Sequence, residues 1–142
     1  MEKIIKLRKG LDIKIEGVPD HSLNAPTVAY RDYAVKPVDF YGLRPKLAVA
    51  AQDRVQAGSV LFYDKENPQV TVSSPVSGTI KEIVYGERRC IREIRIEADE
   101  QIEYKQFDPI SPEKFTAQNV KERLLEAGLW PYIRRRPYDI PA

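Results

Sequence analysis

Leu47-Ala48-Val49-Ala50-Ala51-Gln52-Asp53-Arg54-Val55-Gln56-Ala57-Gly58-Ser59-Val60-Leu61-Phe62 and, soon after, Val72-Ser73-Ser74-Pro75-Val76-Ser77-Gly78-Thr79-Ile80-Lys81-Glu82-Ile83 decide how this chain folds. Leu47 and Val49 open a strand, and Gln52-Asp53 offers a turn. Val60 to Tyr63 is rich in β-formers, and Asp64-Lys65-Glu66-Asn67-Pro68 is a polar hairpin tip. Val70 and Val72 alternate with Thr71 and Ser73 until Ser74-Pro75 breaks the strand. Ser77-Gly78 turns the chain into a strand from Thr79 to Tyr85. Gly86 to Arg89 is a tight polar turn, and Cys90 to Glu97 returns with Ile94 and Ile96 alternating. Short strands at this spacing predict a compact β-sandwich or barrel.

N-terminal to this stretch, Leu11, Ile13 and Ile15 alternate with Asp12, Lys14 and Glu16, a strand pattern bracketed by Gly10 and Gly17. Val18 to Pro26 reads as a loop. Val28 to Gly42 holds four aromatic residues interrupted by Pro37, and predicts short strands or irregular segments. After Asp99 the character changes. Ser111-Pro112-Glu113 resembles a helix start. Thr116 caps a second run in which Val120, Leu124 and Ala127 share a face, and Gly128 ends it. The tail carries Trp130, Arg134-Arg135-Arg136 and three prolines, and reads as a linker with an unpacked end. The expected class is α+β, mainly β. Its parts are N-terminal strands and loops (1–45), a central β-module (46–100), and a helix with an Arg/Pro-rich linker (101–142).

The bulk numbers exclude several functions. A net charge of +2 with interleaved signs does not argue for nucleic acid. One cysteine rules out an internal disulfide. The charged N-terminus is no export segment, and no stretch approaches a membrane span. A zinc site needs three or four ligands, whereas His21 and Cys90 are the only strong soft donors. His21 is expected in a solvated loop, and Cys90 as a buried strand cysteine. No nucleophile motif accompanies His21, and no GxGxxG or Walker motif is present. No catalytic, metal or cofactor-binding residue is therefore assigned. Trp130, Arg134, Arg135 and Arg136 form the one basic–aromatic cluster, a candidate interface.

The central module resembles the barrel-sandwich hybrid of lipoyl and biotinyl domains: an apolar strand, a Gln-Asp-x-Val turn, a glycine before an apolar strand, then Ser-Pro-x-x-Gly. Carrier domains present a modified lysine at a hairpin tip, and Lys65 lies at one. The spacing opposes that role. Seven positions separate Gly58 from Lys65, too few, and ten separate Lys65 from Pro75, too many. The residues around Lys65 also lack the carrier pattern.

A wider resemblance covers nearly the whole chain. Lys9-Gly10-Leu11-Asp12-Ile13, Gly42-Leu43-Arg44-Pro45-Lys46, Asp64-Lys65-Glu66-Asn67-Pro68, Ser74-Pro75-Val76-Ser77-Gly78, Gly86-Glu87-Arg88-Arg89, Leu124-Leu125-Glu126-Ala127-Gly128-Leu129-Trp130 and Arg136-Pro137-Tyr138-Asp139 run in order. Together they resemble the A-subunit family of the sodium-translocating NADH:quinone reductases. The resemblance implies the N-terminal part of a longer, peripheral component on the cytoplasmic face of the bacterial inner membrane. It implies no covalent cofactor here, with NADH and ubiquinone used by the parent complex. The partners would be the other subunits of that complex and the missing C-terminal domains. The alternative is a free-standing, unmodified carrier or adaptor module.

Overall fold

The computed structural model describes Glu16, Gly17, Ser22 and residues 30–142. The expected N-terminal strand lies almost wholly outside the described residues, and so does His21.

Among the described residues, seven strands build a sandwich. They are β1 (Asp32–Val35), β2 (Pro45–Leu47), β3 (Arg54–Val55), β4 (Val60–Asp64), β5 (Thr71–Ser73), β6 (Gly78–Tyr85) and β7 (Ile91–Ala98). One sheet has the order β1-β7-β6-β3 and the other β2-β4-β5. All their pairings are antiparallel. Among the described residues, segment 32–35 is thus an outer strand of the module's own sheet, part of the sandwich and not packed beside it.

The core lies between the sheets. Ile80, Ile94 and Ile96 face Leu61, Phe62 and Val72, closed by Val55 and Val76. Each large buried side chain contributes roughly 1.5–3 kcal/mol by leaving water. Strict alternation would turn Ile80 and Ile83, three apart, to opposite faces. A bulge resolves this. The register shifts between Ile80↔Ile96 and Glu82↔Arg95, so Lys81 is the extra residue. Lys81 and Glu82 then both point outward, and Ile83 returns to the core side. A second shift between Val60 and Phe62 lets Leu61 and Phe62, adjacent in sequence, both be buried.

The turns follow from single residues. Asp53 accepts the Ala50 amide through its carboxylate at 2.7 Å, and Gln52 takes a positive φ of 73°. Gly78 serves by its missing side chain. An added Cβ would overlap the Glu97 carbonyl oxygen on the neighbouring strand and lie 2.9 Å from Ala98 Cα.

Residues 101–142 differ from the linker expectation. Ala57 donates to Glu103 at 2.9 Å, and Lys105 donates to Ala57 at 2.8 Å, tying the outgoing chain to the sandwich. The helix α1 (Ala117–Glu126) begins at a capping box between Thr116 and Asn119, as the sequence indicates. None of its residues is fully buried. Gly128 ends it at a φ of 71°, and an added Cβ there would overlap the Ser73 hydroxyl. The helix end therefore docks against β5. Beyond it, β8 (Arg134–Arg135) and β9 (Ile140–Pro141) pair as a hairpin. That hairpin sits on the module, with Ile140 and Pro141 against Gly42. The expectation of an unpacked tail is corrected: its apolar residues and backbone groups find partners on the segment around Tyr41 and Gly42.

Gly78→Ala is expected to lose about 3 kcal/mol of stability, because overlap with a strand carbonyl cannot relax as a flexible side chain would. Urea unfolding measures it, and a loss below about 0.5 kcal/mol would contradict the crowding.

Candidate functional site

The structure separates the basic–aromatic cluster of the tail. Arg134 turns back into the chain. Its guanidinium donates to the carbonyls of Tyr41 at 2.8 Å, Pro131 at 3.3 Å, and Asp139. It also faces the Asp139 carboxylate at 3.6 Å. Such a group is a pin between the hairpin and the 37–42 segment, with three of its five N–H donors engaged. Trp130 donates its indole N–H to the Ala142 carbonyl at 2.7 Å, and Lys121 lies 5.5 Å from its ring. Arg136 pairs with Asp139 at 3.1 Å and is exposed, as is Arg135. Arg135 and Arg136 are the members that face outward.

Sequence reading does not single out the segment between β1 and β2. A short 3-10 turn, Pro37–Asp39, throws Val38 and Tyr41 into solvent at 72% and 66% exposure. Phe40 points the other way, edge-on to Phe62 and to Tyr132 at centroid distances of 5.7 and 5.9 Å. Between this segment and the start of β7 runs an open groove of ≈ 480 Å³. Its floor is apolar, and Arg89, Cys90 and Arg92 line it with no carboxylate. Cys90 is exposed, which corrects the expectation of a buried strand thiol. The reason is the turn: Cys90 closes it by donating to Glu87 at 3.1 Å, and β7 begins only at Ile91.

The hairpin Asp64–Pro68 is held from the side. The Asp64 carboxylate is buried and accepts the backbone amides of Arg44 at 3.0 Å and Glu66 at 3.3 Å. Lys65 donates its amide to the Arg44 carbonyl at 2.8 Å. Arg44 and Glu66 pair across the top at 2.8 Å. The Lys65 residue is exposed, on a tip whose backbone is bonded to a second segment.

One polar constellation invites a catalytic test, namely Arg54, Ser77 and Asp99. Arg54 grips Asp99 bidentately at 2.7 and 3.1 Å. Ser77 is fully buried and accepts the Glu103 amide at 2.8 Å. The Arg54 hydrogen bond, then that of Ser77, holds the Asp99 carboxyl below its ordinary range. Ser77 is thereby tied to both the Glu103 backbone and the Asp99 carboxylate. The arrangement is a lock where the chain leaves β7. Among the described residues, no group of three His, Cys, Asp or Glu gathers as a metal site. None of their helices is long and apolar enough to cross a membrane.

Two bulged sheets enclosing one core, joined by short turns, define a barrel-sandwich hybrid. A family model described as the NqrA N-terminal barrel-sandwich hybrid domain matches residues 5–99. The chain belongs to that family. It is similar to the A-subunit of the Na(+)-translocating NADH-quinone reductase of Pseudomonas aeruginosa strain PAO1, 36% identical over 138 residues. The corresponding protein of Actinobacillus pleuropneumoniae serotype 5b is 38% identical over 143 residues, and that of Photorhabdus laumondii 36% over 139. These alignments cover 96–98% of this chain and 31% of each relative. The chain thus spans about a third of the length of the curated relatives it matches. The alignments reach past the family model's limit at residue 99, into the helix and tail.

The Asp99 lock predicts an acid response. Its folded pKa is lowered, so its contribution is complete above the unfolded pKa of about 3.9. That contribution is lost as pH falls through the lower folded value. Asp99→Asn should lower the melting temperature at pH 7 and flatten its fall as the pH drops below about 4. A variant curve parallel to the parent over that interval would remove the lock from the acid response.

Proposed function

We propose that this chain is the N-terminal part of an NqrA-type protein and acts as a non-catalytic scaffold. The assembly would be a sodium-pumping membrane complex that passes electrons from NADH to ubiquinone. One observation carries the reading. Similarity to relatives bearing that name runs through 96–98% of the chain, across sandwich, helix and tail alike. A shared fold alone would account for the sandwich only.

In this reading the redox chemistry and its cofactors reside elsewhere in the complex. NADH and ubiquinone are substrates of the whole, and this part supplies a rigid docking body. It is peripheral and faces the cytoplasm. Its neighbours are the other subunits of the complex and the C-terminal domains of its own chain. Arg135, Arg136 and the exposed edge of Trp130 are candidate contacts, with Arg134 holding the hairpin that presents them.

The clamped hairpin speaks against a carrier role. A swinging lysine needs a tip that a ligase can engage and that moves freely afterwards. Here the tip is tied to Arg44 by backbone bonds and an ion pair.

Two measurements test the proposal. The chain should co-fractionate with membrane NADH:quinone reductase activity, and replacing Arg135 and Arg136 by alanine should reduce that association several-fold. In a lipoylating and biotinylating host, the mass of the chain should equal that of its sequence. A ligase-dependent adduct on Lys65 would favour the carrier reading instead.

A further inference from the structure

The turn from β6 to β7 has an unexpected composition. Glu87, Arg88, Arg89 and Cys90 form a tight hairpin turn whose two central residues have φ of 52° and 58°. Such turns favour Asn-Gly, because each central position costs an ordinary L-residue about 1–2 kcal/mol. This chain places two arginines there. Among the described residues, neither side chain forms an ion pair, and neither does Arg92 beside them. Every other described arginine except Arg135 is paired. Backbone strain held at an exposed position points to use of the side chains.

The use is suggested by what adjoins the turn. The groove of ≈ 480 Å³ begins at Arg89 and Arg92 and runs over Val38, Tyr41 and Leu43. Its lining holds no carboxylate. The outer face of the larger sheet is neutralised internally, with Lys81 paired to Asp32 and Arg95 to Glu82 and Glu93. An apolar floor with unpaired guanidinium groups at its rim is the composition of an interface centre that takes acidic and aromatic partners.

We propose that this groove docks a segment of another protein chain carrying carboxylates beside an aromatic or aliphatic residue. The carboxylates pair with Arg88, Arg89 and Arg92, and the apolar side chain lies over Val38 and Tyr41. This rests on the reading that the chain works within a larger assembly, and it adds where and with what chemistry one neighbour binds.

Cys90 lines the groove and is the only thiol in the chain, so it can carry the reporter. The chain is labelled there with a benzophenone maleimide, mixed with salt-washed membranes from its source cells, irradiated and digested. The expected adduct is a peptide of another chain containing Glu or Asp next to an apolar residue. Capture should fall on the order of tenfold in an Arg89→Glu, Arg92→Glu variant and recover in the Lys versions. Arg88→Asn with Arg89→Gly is the control for folding. It should raise the melting temperature by roughly 3–6 °C, because the turn loses its strain, yet reduce capture several-fold. An adduct to lipid, to a second copy, or to a neutral or basic peptide overturns the proposal. So does no adduct, or full capture by the Asn-Gly variant. Co-fractionation with reductase activity is scored in the same membranes. Its loss with the acidic adduct retained defeats only the functional reading, and the converse defeats only the groove.

Discussion

The antiparallel ribbon of β6 and β7 is the element on which the rest of this structure depends. It supplies three fully buried isoleucines, Ile80, Ile94 and Ile96. Both other strands of its sheet attach to it, β1 along β7 and β3 along β6. The ribbon is productive only because Lys81 is bulged out. Without that extra residue, every side chain beyond it would change faces, and Ile83 would exchange places with a charged neighbour. The bulge and the turn beyond it set the register together, and an error in either would put charge into the core.

The two ends of the ribbon are built differently. At one end β6 and β7 approach so closely that only Gly78 fits, and the Arg54–Asp99–Ser77 lock fixes the outgoing chain. Exposed ion pairs contribute little singly, but this one is bidentate and shared with a buried hydroxyl. At the other end the turn is strained, exposed and rich in unpaired charge. Rigidity is thus concentrated where the chain continues, and chemical potential for recognition where it reverses. That division matches the general placement of function on loops held by a rigid scaffold.

Much of the sandwich is legible in the sequence. Val60 to Tyr63, Val72, Ile80, Ile94 and Ile96 betray their strands by type and spacing, and Thr116 and Gly128 their helix ends. The bulges are not legible as bulges. Ile80-Lys81-Glu82-Ile83 fits neither period two nor a helix well, and only the pairing partner shows which residue is extra. The tail reads as a linker because prolines and arginines are common in linkers. Nothing in the local pattern says that Arg134 will meet the Tyr41 carbonyl, 93 residues away. The groove escapes sequence reading for the same reason. Val38 and Tyr41 come from one segment, Arg89 and Arg92 from another, and topology alone brings them together. Cys90 reads as a strand residue because its apolar character matches the strand that follows it.

The hairpin at Asp64 is braced where a carrier domain would need a free tip. A carrier tip must be recognised by an enzyme and then left free, so it projects with few contacts. In this chain Asp64 turns its carboxylate inward and caps two amides, and the backbone of Arg44 grips Lys65. Each bond adds stability and removes mobility, so the two demands are opposed. The segment that does the gripping continues directly from the groove-lining residues Gly42 and Leu43. The same stretch therefore fastens the Asp64 hairpin on one side and shapes the candidate docking surface on the other. A sandwich whose hairpin is braced in this way is suited to holding neighbours at fixed distances, and that rigidity supports the proposed scaffold role.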